Sequence, residues 1–95
     1  MNIQPSQAKG EAWWDDFREL LDDQNDWPTQ YTFKFIAAKS ELEALKAIFG
    51  NHPVRIRNSS KGNYVSVTAR LRMESSDEIV EVYKSAGDVE GVIAL

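Results

Sequence analysis

The 95-residue sequence contains no cysteine. That removes disulfides, thiol nucleophiles and thiolate metal sites together. It contains one histidine, His52, set beside Pro53 in a turn, so no serine has a histidine–acid pair and no histidine cluster can form. No apolar run approaches the roughly 18 residues of a membrane span, and Met1 to Gly10 lacks the apolar core of a signal peptide. The expected address is therefore the cytoplasm. There is no Gly-rich phosphate loop and no dinucleotide fingerprint. The carboxylates cluster where helical spacing presents them to solvent, not in a catalytic pair. The sequence thus reads as a non-enzymatic chain with no cofactor, no metal and no membrane segment.

The charge is unevenly spread. Residues 1–27 carry two bases, Lys9 and Arg18, against seven acids, whereas residues 28–95 are almost balanced within an overall charge of −4. An acidic front segment is joined to a near-neutral body, and net charge gives no general affinity for nucleic acid.

Tyr64 to Met73 alternates with period two. Val65, Val67, Ala69, Leu71 and Met73 point one way, and Tyr64, Ser66, Thr68, Arg70 and Arg72 the other. This predicts a long central strand with one buried face, entered through a hairpin at Asn58–Asn63, where Gly62 accepts positive φ. Tyr31 to Ala37 is a second strand, with Tyr31, Phe33, Phe35 and Ala37 on one face and Thr32, Lys34 and Ile36 on the other. Val54 to Asn58 is a short strand with Val54 and Ile56 inward, and Val89 to Leu95 is a last strand. Ser40 with Glu43 and Ser75 with Glu78 read as capping boxes that open two helices, the first ending at Gly50 and the second at Gly87.

Glu11 to Asp23 has the spacing of an amphipathic helix. Trp13, Phe17, Leu20 and Leu21 form its apolar stripe, Trp14 flanks them, and acids line the other side. Asp22, Asp23 and Asp26 sit unfavourably near a helix C-terminus, so the helix is expected to fray there until Pro28 breaks it.

From Pro28 onward the order strand–helix–strand–strand–helix–strand specifies an α+β, ferredoxin-like βαββαβ sandwich. Its four-stranded antiparallel sheet has order 4-1-3-2, with two helices on one face and the N-terminal amphipathic helix in addition. The organisation is residues 1–10 as a disordered N-terminus, 11–27 as acidic helix and linker, and 28–95 as the ferredoxin-like domain.

Two blocks carry a family resemblance: Trp27-Pro28-Thr29 leading into Tyr31-Thr32-Phe33-Lys34-Phe35, and Ser59-Ser60-Lys61-Gly62-Asn63-Tyr64 followed by Ser66-Val67. With the hydrophobic ending at Leu95, they resemble the YbeD-like family of small bacterial proteins of uncharacterised function. That family resembles ACT regulatory domains in fold, and the resemblance implies a regulatory role. The front segment is more elaborate than the short leader of the family pattern.

Three surfaces are candidates for function. The hairpin residues Ser59, Ser60, Lys61, Asn63 and Tyr64 suit a turn, but they equally suit a loop that meets an anion or an acidic partner. The open sheet face holds Lys34, Arg55, Arg57, Arg70 and Arg72 with no acid, either a solvated face or a docking surface. On that face Val92 and Ala94 are expected at the edge, beside Ile36. The front helix offers Trp13, Trp14 and Phe17 as anchors; Trp13 and Trp14 are adjacent, so both cannot face one core. The charge complement suggests that the acidic helix lies across the basic face, in the same chain or in a second copy, with its Trp13, Phe17 and Leu21 covering Ile36, Val92 and Ala94 and its acids on Arg57, Arg70 and Arg72.

The favoured reading is a regulator or adaptor that works by contact with a protein partner. An ACT-like small-ligand sensor acting as a homodimer is the alternative, although the loop Ala37-Ala38-Lys39-Ser40 lacks the glycine such sites use. RNA binding ranks third. Lys61-Gly62-Asn63-Tyr64-Val65 echoes an RNA-recognition strand, but the first strand's aromatics point to the helix side.

Overall fold

The computed structural model describes residues 10–95; the expectation of disorder for residues 1–9 lies outside the described residues. The elements follow in the order α1 (Glu11–Gln24), β1 (Thr29–Ala38), a 3₁₀ turn (Lys39–Glu41), α2 (Leu42–Ile48), β2 (Arg55–Asn58), β3 (Tyr64–Met73), α3 (Ser76–Ala86) and β4 (Ile93–Ala94). The sheet order is β2-β3-β1-β4 and every pairing is antiparallel. This α+β arrangement is the order expected from sequence and is compatible with a ferredoxin-like fold. Its backbone is the ten-rung ladder between β1 and β3, from Thr29↔Met73 to Ala38↔Tyr64.

The ladder explains the core. Opposed residues share a face, so Phe33 and Phe35 meet Ala69 and Val67, and all four are buried. Phe33 is fully enclosed, with ring centroids of Tyr31, Tyr83 and Phe49 at 4.8, 5.5 and 5.9 Å. Leu45 and Phe49 reach this layer from the first crossover, and Ile79, Val80 and Tyr83 from the second. Tyr83 hydroxyl lies 3.0 Å from that of Tyr31. Burial first, and then this hydrogen bond, hold the Tyr83 phenol well above the ordinary tyrosine range, so it stays neutral.

Helix starts follow local chemistry. The Ser75 hydroxyl accepts from the Glu78 amide at 3.3 Å, and the Glu78 carboxylate accepts from the Glu74 amide at 2.9 Å. The second capping box therefore forms, with its acid reaching one residue further back. The first does not: the chain enters α2 through the 3₁₀ turn, and the Ser40 side chain caps nothing. Ser75→Ala should accordingly cost about 1 kcal/mol in urea unfolding, and Ser40→Ala close to none. Gly50 takes positive φ after α2, whereas Gly87 keeps a right-handed conformation and Gly91 makes the left-handed step before β4. The last strand is accordingly shorter than expected.

The main correction concerns α1. It does not lie on the open sheet face of its own chain but joins the helix layer beside α3. Trp14, Phe17 and Leu21 are buried there, with the Phe17 ring 5.5 Å from that of Tyr83. Leu20, expected in the stripe, is 40% exposed, and Trp14 takes the core position assigned to Trp13, which is half-buried against it. Magnitudes explain the choice. Burying a large apolar side chain is worth about 1.5–3 kcal/mol, whereas an exposed ion pair is worth about 0–1 kcal/mol. The open face lacks the apolar counterpart expected there, because Val92 and Ala94 point into the core, and its charge attraction alone does not match burial of the stripe on α3. Ion pairs to α3 still form: Lys84 Nζ lies 3.4 Å from Glu11 Oε1, and Arg18 Nε 2.7 Å from Asp77 Oδ1. The helix runs to Gln24 despite its acidic end, because the Asn25 side-chain amide donates to the Leu21 carbonyl at 3.0 Å.

Two smaller corrections follow from pairing. Ala94 sits opposite Phe35 and is buried with Val92, so neither is on the open face; Ile93, opposite Ile36, is. Ile56 shares the core-side face with its partner Val67, but β2 is an edge strand and leaves it 40% exposed.

Candidate functional site on the open sheet face

With α1, α2 and α3 on one side, the other face of the sheet carries no helix among the described residues. The registers fix what it displays. One row across the strands is Arg57, Ser66, Ile36 and Ile93; the next is Arg55, Thr68 and Lys34, where the Leu95 amide donates to the Lys34 carbonyl at 2.9 Å. Beyond them Arg70 stands opposite Thr32, and Arg72 opposite Gln30.

Three adjoining concavities cross this face. The first, about 170 Å³, includes Lys34, Ile36, Arg57, Ser59 and Tyr64 in its walls. The second, about 160 Å³, lies between Lys34, Arg55, Arg57, Ser66 and Thr68. The third, about 540 Å³, opens between Thr32, Pro53, Arg55 and Arg70. Shared walls make them one groove. Lys34, Arg55, Arg57 and Arg70 have no carboxylate within ion-pair distance among the described residues; Arg72 is held by Glu74, with Nε 3.1 Å from Oε1. The groove is thus a positive surface without internal compensation.

The hairpin divides into structural and displayed parts. Ser59 is consumed by the turn: its hydroxyl accepts from the Tyr64 amide at 3.2 Å, its amide donates to the Tyr64 carbonyl at 2.9 Å, and its carbonyl accepts from Gly62 at 3.0 Å. Gly62 has φ +73°, and the Asn63 carbonyl accepts from Lys39. Ser60 and Lys61 are exposed at the tip and line none of the three concavities. Tyr64, 56% exposed, leans over the first concavity beside Ile36.

Of the residues singled out from sequence, the fold therefore brings Lys34, Arg57, Ser59, Tyr64 and Arg70 to one groove. Arg72 sits at its far end, Ser60, Lys61 and Asn63 at the hairpin tip, and Trp13, Trp14 and Phe17 on the opposite side of the molecule. Sequence reasoning gave Arg55 too little weight and missed Ile93. The pairing of Ile93 with Ile36 was hidden because a two-residue strand shows no period.

A scan of family models matches residues 22–95 to DUF493, a protein family of unknown function. The chain belongs to this family. The DUF493 match covers the whole sheet and both crossover helices and begins near the end of α1. The UPF0250 protein of Idiomarina loihiensis is 34% identical over 83 residues, covering 80% of this chain and 90% of that one. A UPF0250 protein of Shewanella amazonensis is 32% identical over 74 residues, covering 70% and 84%. These relatives bear out the YbeD-like resemblance, and none of their names states an activity. No solved structure matches the chain significantly. Among the described residues no group of three or more His, Asp or Glu side chains comes together as a metal site, and no helix is long and apolar enough to cross a membrane.

Proposed function

We propose that this DUF493 protein is a non-enzymatic regulator or adaptor that acts by protein contact, with the open sheet face as its docking surface. The supporting observation is the groove of Lys34, Arg55, Arg57 and Arg70, four cations with no carboxylate within ion-pair distance among the described residues, in a protein of net charge −4. A face that only needed solvation would interleave both signs; one that awaits an acidic partner leaves the positive charge unpaired. The same charge speaks against a dimer in which two open faces meet, because like charges would oppose each other across it. Single-stranded RNA is the weaker fit, since Tyr64 is the aromatic ring this face displays while Phe33 and Phe35 are buried beneath it.

The test is affinity purification from host lysate with wild type, Arg57→Glu and Lys61→Glu, reading bound protein and RNA separately. Arg57 is exposed on an edge strand, so reversal should leave the circular dichroism spectrum and melting unchanged. A protein that survives nuclease treatment and is lost with Arg57→Glu is the expected result. Capture that depends on RNA, or is indifferent to Arg57, would sink the reading. Lys61→Glu separates the hairpin tip from the groove.

A further inference from the structure

The surface is not uniformly basic. Ile36 on β1 and Ile93 on β4 stand side by side, and Tyr64, at the start of β3, closes the same apolar corner. Ile93 is 40% exposed and Tyr64 56%. Arg57 and Arg55 border this corner from β2, and Lys34 stands one row below Ile36 on β1. An occupant must therefore present apolar side chains along one flank and carboxylates along the next.

The backbone adds a second constraint. In a paired sheet the N–H and C=O groups lie in the plane of the strands and are spent on neighbouring strands, so the face offers none to a visitor. A segment lying on it in extended form would cover its own amides against Ile36, Ile93 and Tyr64 without partners. A helix satisfies its backbone internally and shows side chains alone. We infer that the open face seats an acidic amphipathic helix of a partner protein, as a third layer on the sheet, its apolar stripe on Ile36 and Ile93 and its carboxylates toward Arg57, Lys34 and Arg55. The chain's own acidic helix is not available for this, because Trp14, Phe17 and Leu21 are buried against the other side. The inference rests on the docking-surface reading above and names the chemistry of the partner. Strand β3 spans ten residues, about 33 Å at roughly 3.3 Å each, so a helix of about 18 residues, about 27 Å long, fits along it.

The test uses the full chain and a fluorescent helical peptide of about 18 residues built from Glu, Ala and Leu, with the leucines on one stripe. A composition isomer with dispersed leucines and a single-stranded RNA of similar charge serve as competitors. The striped peptide should bind at low salt, gain helical circular dichroism, and shift the amide resonances of Lys34, Ile36, Arg57 and Ile93. Arg57→Glu should weaken it about tenfold and Ile93→Thr a few-fold, and physiological salt should weaken it further. Equal binding of the isomer would reduce the site to bare charge and overturn the helix. Tighter binding of RNA with the same variant dependence, or a peptide bound without gaining helix, would overturn it as well. If the peptide fails while lysate capture still depends on Arg57, the helical occupant falls and the docking surface stands. If Arg57→Glu changes neither, both fall.

Discussion

Phe17→Ala is expected to lower the unfolding free energy by about 3–4 kcal/mol, while Leu20→Ala costs about 1 kcal/mol or less. Phe17 is 7% exposed and its ring packs against Tyr83, Trp13 and Trp14, with centroids at 5.5, 5.6 and 6.2 Å; Leu20, one turn further on, is 40% exposed. The contrast follows from α1 sitting on α3. If α1 were an appendage, both substitutions would be nearly silent. Urea unfolding checks this through the midpoint at constant slope. A loss below about 1 kcal/mol for Phe17→Ala would remove α1 from the core.

Phe33→Ala should be the most damaging single truncation, costing about 4–5 kcal/mol. Its ring is fully buried between the sheet and both crossover helices, in contact with Tyr31, Phe35, Phe49 and Tyr83. No exposed side can collapse into the void, which sets the cost at the upper end for a phenylalanine. A domain of this size has roughly 5–14 kcal/mol in total, so the variant should melt about 20 °C lower or more. Phe33→Leu keeps most of the volume and should cost far less, about 1–1.5 kcal/mol. Calorimetry on the pair separates lost packing from lost aromatic geometry; a Leu variant as unstable as the Ala one would mean that ring stacking, not volume, holds the centre.

Membership of an uncharacterised family supplies no activity by analogy, so the site has to be argued from its own chemistry. The groove supplies that argument through unpaired charge next to exposed apolar side chains. The matched residues begin at Asp22, yet Trp14, Phe17 and Leu21 of α1 complete the core ahead of and at that boundary. Helix α1 is therefore a packed part of this fold.

What could be read without coordinates was what each segment states about itself. Tyr64–Met73 alternates strictly, so its two faces were legible residue by residue, and the same holds for Tyr31–Ala37. Ser75 with Glu78 marked the start of α3, and the order of elements led to the sheet order. The basic residues of the open face followed at once, because alternation assigns them to the side opposite Phe33 and Val67. What the tertiary structure alone decided was which faces meet. The stripe on α1 required an apolar counterpart but did not say whether that was α3 or the open sheet. The charges pointed to the sheet, and apolar burial, worth more per side chain, placed the helix on α3. Spacing put Trp13 in the stripe and Ala94 on the open face; docking put Trp14 in the core instead, and pairing with Ile36 put Ile93 on the open face. Periodicity is a property of one element and is written in its residues. Docking is a competition between alternative burials across the whole chain, and no single stretch of sequence contains its outcome.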